Sequence, residues 1–393
     1  MESSTSEILT KKARQVGAET HWTIDCWDSG CSALFTELHE SGICTVMDRA
    51  KNQGAQCRVG QLGLCCRFCL QGPCRINAMG KEPTTGICGA RDYTMVARFI
   101  DRMIAGGTAS HSGHGKEIAH VLHAVAKGEV KDYQVRDPAK LEAVAKRLGI
   151  QGNGTDLMAL ADSVSELALE DYSRYSSEPL AFLKSTTTMG RFHKWETHAV
   201  LPSNIETAIS DVMHRTAMGV DADPIPILFG GIKCALSDYT GAQISSDLSD
   251  VLFGTPKLVL SESNLSVLDE KCVNVAVHGH NPLLSDLIVD MAREMKAEAQ
   301  KVGAEQFNIV GVCCTGNEIL MRKGIPIAAN VMSQELVLLS GILDAMVFDY
   351  QCIMPSLTVL SKCVHTRMIT TQEINRLVGD THIEFTPDRA RES

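Results

Sequence analysis

Residues 273–312 read VNVAVHGHNPLLSDLIVDMAREMKAEAQKVGAEQFNIVGV. The stretch opens on a β-type apolar run, Val273–Val277, and closes on another, Phe307–Val312. Between them Pro282–Val302 carries a helical pattern, and Pro282 suits the first helical position. Strand, helix and strand in that order imply a parallel sheet with a right-handed crossover. The pattern continues outward. Ile325–Val331, Ala345–Phe348 and Met368–Thr371 read as strands, Ser333–Leu343 and Pro355–Ser361 as helices, and Thr381–Phe385 is strand-like. Residues 257–393 are therefore expected to form a Rossmann-like α/β domain.

Upstream the texture differs. Residues 111–128, HSGHGKEIAHVLHAVAKG, predict a helix that stops at Gly128. Lys140–Leu148, Asp156–Glu170 and Ile205–Met213 also read as helical. Residues 46–105 read as loop-rich with short helices, residues 1–45 as carrying little structure, and no convincing strand precedes residue 257. The expectation is a multidomain α and α/β chain. A mostly helical domain that also carries a dense run of cysteines, residues 1–256, precedes the Rossmann-like parallel-sheet domain, residues 257–393.

The composition narrows the class. The 393 residues are 44% hydrophobic and 21% charged, an ordinary globular balance. A net charge of −10 argues against a general nucleic-acid surface, because phosphates need basic partners. No apolar run approaches the roughly 18–20 residues of a membrane span. Residues 1–20 lack the apolar core of a secretory signal. These features predict a cytoplasmic protein with reduced thiols, which makes its fifteen cysteines an anomaly.

Six of the cysteines crowd into one segment, Cys57-x7-Cys65-Cys66-x2-Cys69-x4-Cys74-x13-Cys88. A Cys-x2-Cys pair sets two thiolates on one turn, where both reach one metal centre. A [4Fe–4S] cubane takes four thiolates, and Cys66, Cys69, Cys74 and Cys88 supply four. Arg67 and Arg75 sit beside them and offset the charge of an all-thiolate cluster. Cys57 and Cys65 remain, half a cubane site, which a homodimer with its two-fold axis through the site would complete. Structural zinc also uses Cys-x2-Cys, but six cysteines with an adjacent pair fit one four-ligand site poorly.

Three further soft ligands follow three predicted strands: His280 after VNVAVHGH, Cys314 after FNIVGVCC and Cys352 after AMVFDYQC. In open α/β sheets ligands bind at the carboxyl ends of strands, so residues ending different strands converge. The competing reading makes both cysteines small buried hydrophobes and the histidine a loop residue. His278 and Cys313 are adjacent, lower-ranked candidates. His111, His114, His120 and His123 recur at multiples of three along one helix, with Glu117 at the missing step. Such a ladder either passes protons or forms a solvated helix face. The glycines around it do not make a phosphate loop, since Lys116 is followed by Glu117.

The segments CRVGQLGLCCRFCLQGPCRI, HSGHGKEIAH, VAVHGHNPLLSD, GVCCTGNEILMRKGIP and FDYQCIMPS occur in that order. Together they resemble the catalytic subunit of the nickel-containing, anaerobic carbon monoxide dehydrogenase family, from about residue 43 onward. The resemblance implies that Cys66, Cys69, Cys74 and Cys88 hold an internal [4Fe–4S] cluster. It implies that Cys57 and Cys65 are each subunit's share of a second cluster on the axis of a homodimer. His280, Cys314 and Cys352 are then ligands of a [Ni-4Fe-S] centre, and His111, His114 and His120 the catalytic candidates on a proton route. The implied reaction oxidises CO with water to CO2, and electrons leave through the cubanes to a ferredoxin-like acceptor.

Glu117 departs from an all-histidine ladder. Family members are also longer, with a further domain that supplies three cysteines and a lysine. As given, the chain is expected to fill its cubane sites but not to complete the nickel site alone. Two other functions compete: an Fe–S electron-transfer or scaffold module without nickel, and a hydroxylamine reductase related to the hybrid-cluster proteins. The Cys65–Cys66 pair, the upstream Cys57, and the GHNP and CCTGNE segments favour the dehydrogenase.

Overall fold

The structure, a computed structural model, describes residues 28–77, 80–151 and 156–392. Two long helices form the spine of the first part. They are α4 (Asp92–Lys127) and α10 (Pro224–Phe253), and they pack along each other. Small residues let them approach. A Cβ added to Gly115 would lie 2.5 Å from the Gly241 carbonyl oxygen, and one on Gly241 would lie 2.9 Å from Cα of Ser112. Around this spine stand α5 (Pro138–Leu148), α6 (Leu157–Ser173), α7 (Ala181–Thr186), α8 (Met189–Thr197) and α9 (Ile205–Arg215). Ile118, Leu122, Leu141, Val164, Phe182 and Leu248 bury their side chains between them.

The helix predicted to end at Gly128 does so, with Gly128 as a left-handed C-cap. Its start is corrected: α4 begins at Asp92, inside the segment read as loop-rich, and runs through Gly106–Gly107 because α10 supports it. α10 itself went unread. Its apolar residues point in several directions, Ile227, Ile244 and Leu248 inward and Ile225, Phe229 and Ile232 outward, so no single stripe marks it. Residues 1–27, including Cys26, lie outside the described residues. Within the segment expected to have little structure, α1 (Ser29–Glu40) is a further correction. The Asp28 side chain caps it at the Cys31 N–H, and Cys31, Phe35 and Leu38 pack into the sheet's core. α2 (Val46–Asn52) follows, its Arg49 paired with the fully buried Glu335.

A small antiparallel pair, β1 (Cys65–Cys66) and β2 (Cys74–Arg75), also precedes residue 257, against expectation. The main sheet is parallel throughout. Its strands are β3 (Val273–Gly279), β4 (Phe307–Val312), β5 (Ile327–Ala329), β6 (Ala345–Phe348), β7 (Arg367–Thr370) and β8 (Thr381–His382). Their spatial order is β5-β4-β3-β6-β7-β8. The chain runs outward from β3 to β5, then returns to β6 on the other side of β3. That reversal leaves a crevice at the carboxyl ends of β3 and β6. The expected helix over Pro282–Val302 is two helices, α11 (Pro282–Glu294) and α12 (Lys296–Lys301). α13 (Cys313–Lys323), α14 (Gln334–Leu339) and α15 (Leu357–Leu360) complete the connections.

Helical spine and sheet meet through both apolar and ionic contacts. Leu283 and Leu287 of α11 belong to the same core as Leu122 and Leu248. Arg322 of α13 pairs with Asp250 of α10 at 2.8 Å, and Lys323 with Asp286 at 2.9 Å and Asp290 at 2.7 Å.

Gly241→Ala is expected to lower stability by about 1–3 kcal/mol, the usual cost of overpacking. A denaturant midpoint equal to the parent's would contradict the close approach of α4 and α10. Asp101 of α4 supplies a pH test. Its side chain is fully buried, and burial lifts its carboxyl to about 6 against the pull of Arg215 and the Gly231 backbone. The folded pKa lies above the unfolded one of 3.8, so the neutral acid's contribution is full below pH 3.8 and lost as pH rises through about 6. Asp101→Asn, which cannot ionise, should therefore gain on the parent between pH 4.5 and 7.5. A constant difference across that range counts against the burial argument.

Candidate metal centre

The cysteine segment winds one set of thiols inward and leaves another outside. Cys57 is the N-cap of α3 (Arg58–Gln61), and it and Cys65 are exposed. β1 and β2 set Cys66 opposite Cys74. The Ile87 N–H donates to Sγ of Cys74 at 3.4 Å, which draws the strand of chain before Cys88 against that sulfur. Burial pushes the Cys66 thiol up, and Cys74, Cys88 and Cys69 add to the effect, so these four thiols lie within electrostatic reach of one another. They are not gathered around an ion-sized hole. Among the described residues, the one group of three or more such ligand atoms all within 4.8 Å of one another is His123, Asp162 and Glu166. A tetrahedral zinc would hold its sulfurs roughly 3.8 Å apart, given Zn–S bonds of about 2.3 Å. The wider spacing suits a polynuclear cluster.

The second assembly lies at the sheet reversal. His280 leaves β3, Cys313 and Cys314 open α13 after β4, and Cys352 follows β6. Gly279 and Cys313 bridge in parallel, so His280 and Cys314 follow side by side. Gly311 and Gly316 permit the tight entry to α13, since a Cβ on Gly311 would lie 2.4 Å from Cα of Gly316. The Cys313 thiol is hydrogen-bonded with the Cys352 thiol and is pushed up to about 12 by burial, Cys352 and Cys314. Burial and Cys352 raise Cys314 likewise. The three thiols are therefore within electrostatic reach of one another, with Cys352 the exposed member. Cys313, Gln351 and Cys352 all hold left-handed backbone, with φ of 61°, 70° and 60°. Strained non-glycine residues of this kind cluster at functional sites.

Asp349 ties the assembly together. It is buried, and its oxygens accept the backbone N–H groups of His280 at 2.6 Å and Asn281 at 3.0 Å, as well as that of Tyr350. Burial raises its carboxyl to about 8 against those bonds. The His280 ring stacks on His111 at 5.2 Å and meets His114 edge-on at 5.3 Å. Burial and His111 bring His280 down to about 4, and its Nδ1 is buried without a hydrogen-bond partner. A neutral imidazole with a free ring nitrogen, at the end of the strand next to the one that leads into Cys313 and Cys314, fits a thiophilic metal cluster.

The ladder splits. His111 and His114 touch His280, and Nδ1 of His111 lies 3.2 Å from Asp238. His114 is buried beside Ser245 and held down at about 3 by that burial. Glu117 accepts from Asn281 Nδ2 at 2.6 Å and from the Tyr350 hydroxyl at 3.0 Å. No ring contact or hydrogen bond joins His120 to His280 among the described residues. His120 instead lines, with Glu117, Gln372 and Asp388, a cavity of about 410 Å³. His123 pairs with Asp162 at 3.1 Å. His278 spends its Nε2 on Gln334, 2.8 Å from Oε1. Asp349, Asn281, Tyr350, Gln334 and Asp238 were missed from sequence. Asn281 and Asp349 carried the one available signal, polar residues directly after strand ends.

A histidine and three cysteines at the reversal point of the sheet, with a second run of neighbouring thiols elsewhere in the chain, define an α/β protein whose residues suit metal–sulfur chemistry. The Prismane/CO dehydrogenase family matches residues 64–393, and the chain belongs to that family. Carbon monoxide dehydrogenase 1 of Carboxydothermus hydrogenoformans is 49% identical over 368 residues, covering 93% of this chain and 58% of the relative. The carbon monoxide dehydrogenase of Rhodospirillum rubrum is 44% identical over 376 residues, 95% of this chain and 59% of the relative. An as-isolated, Ni-free structure of carbon monoxide dehydrogenase from Thermococcus sp. AM4 superposes with a TM-score of 0.92 at 43% identity, over 94% of this chain and 59% of that one. The chain spans a little over half the length of these relatives. Among the described residues, no helix is long and apolar enough to cross a membrane.

Asp349→Leu strands the N–H groups of His280 and Asn281, each a loss of about 1–3 kcal/mol when buried. Asp349→Asn keeps one acceptor oxygen and is expected to lose less. Equal denaturation midpoints for parent and both variants would show that the carboxylate does not hold the two strand ends.

Proposed function

We propose that the chain acts in the oxidation of CO with water to CO2, releasing two electrons and two protons. The convergence of His280, Cys314 and Cys352 at the sheet reversal, against His111 and His114, carries this reading. In it, residues 1–256 form the cluster-bearing domain and residues 257–393 the Rossmann-like one. Cys66, Cys69, Cys74 and Cys88 hold an internal [4Fe–4S] cluster. Cys57 and Cys65, both exposed, offer half the ligands of another on a homodimer axis. His280, Cys314 and Cys352 hold the nickel–iron–sulfur centre. Bound there, that centre supplies Lewis-acid activation of CO and water and takes up the electrons.

The chain's own groups do the rest. Asp349 orients the His280 backbone, and burial disfavours the charged form of both the His280 and His114 rings, which leaves His280 neutral, as a metal ligand must be. His111, backed by Asp238, is the nearest base open to solvent, being half exposed. Protons pass by way of His114 and Glu117 toward His120 and its cavity. Electrons pass through the cubanes to a ferredoxin-like acceptor, in the reducing cytoplasm.

Anaerobically purified protein is expected to contain cubane iron, and to contain nickel and reduce viologen when given CO once the remaining cluster ligands are supplied with it. Cys314→Ala should lose the nickel and at least about tenfold of the CO-dependent rate while keeping the cubane iron. Iron without nickel or CO turnover in the parent would leave an electron-transfer or scaffold module. Hydroxylamine turnover without CO turnover would transfer the protein to the hybrid-cluster chemistry.

A further inference from the structure

We propose that Gln334 is the positioning residue for Cys352, acting as a clasp on the turn that presents this thiol; the proposal rests on Cys352 being a metal ligand. Gln334 opens α14 and is fully buried. An amide side chain has two donor hydrogens and two acceptor sites, and here all four are engaged. Its Nε2 donates to the carbonyl oxygens of Val331 and Cys352, both at 2.8 Å. Its Oε1 accepts from the Met354 N–H at 3.0 Å and lies 2.8 Å from Nε2 of His278.

One side chain therefore joins β3, the segment after β5 and the loop after β6. The bonds to Cys352 and Met354 grip that loop just after Gln351, where φ is 70°, and at Cys352 itself, where φ is 60°. Residues with a Cβ resist this left-handed backbone. Released from the glutamine, the turn relaxes toward negative φ, and the Cys352 side chain swings off Cys313, its partner in the folded chain. His278, buried and spaced like a ligand from β3, is on this account a strut for the glutamine. The clasp complements Asp349. A β6 residue holds the loop after β3, and a β3 histidine, through Gln334, holds the loop after β6.

Gln334→Met keeps length and volume and removes every amide bond. Two measurements on anaerobically isolated full chain test the clasp. Amide hydrogen exchange over residues 353–354 is expected to quicken about tenfold, with α4 unchanged. Iodoacetamide alkylation of Cys352, followed by peptide mass spectrometry, is expected to quicken about tenfold, with Cys66 and Cys74 unchanged. Adding Gln351→Gly, which relieves the left-handed residue, should return the Cys352 rate to within about threefold of the parent. A general packing defect would not recover in this way. The proposal is overturned if Gln334→Met leaves both rates at parental values, if exchange in α4 rises equally, or if the double variant stays as reactive as the single one. Cys352 is exposed in the folded chain, as Cys44 is, so a bound metal is what would slow it; should it react as fast as Cys44 in the parent, the metal-ligand reading falls, and the exchange experiment still decides the clasp.

Discussion

Asp349 sits at the end of β6 with both carboxylate oxygens turned onto backbone N–H groups, two of them from the loop after β3. Two neighbouring parallel strands must come apart at their ends for a crevice to open between them. Something must then satisfy the backbone groups that the sheet no longer pairs. A carboxylate does this with one residue, and it does so without blocking the crevice. The arrangement depends on the chain reversing direction across β3, because that makes β6 its neighbour although paired Val277 and Val347 lie 70 positions apart in the sequence.

The helical spine supplies the opposite wall. α4 delivers His111 and His114 to His280 only because it lies hard against α10 at Gly115 and Gly241. That contact fixes the rotation of α4, and with it which helix face meets the sheet. Glu117 extends the same face to Asn281 and Tyr350. Ion pairs at Arg322 and Lys323 hold α13, and the cysteines at its start, to the spine and to α11. First-part helices and sheet thus position each other's side chains.

Much of this was legible in the residues. β4 and β6 fall where their apolar runs do, because a buried parallel strand has little else to encode. The cysteine segment announced itself by spacing. The soft residues at strand ends followed from the rule for open sheets. What stayed hidden was set by tertiary contact. α10 is covered on several sides and shows no stripe, and α1 is short and earns its place only against the sheet. Asp349 and Gln334 are ordinary polar letters until the fold buries them beside unpaired backbone groups. The ladder spacing was visible, but not that His111 and His114 would touch His280 while His120 would turn to a separate cavity.

The exposure of Cys57 and Cys65 has a consequence for the protein's surroundings. Thiols at the rim meet dissolved oxidants before any deeper sulfur does, and oxidation past the sulfenic stage is irreversible for most proteins. Sulfur left at such a rim stays open to that damage until something covers it.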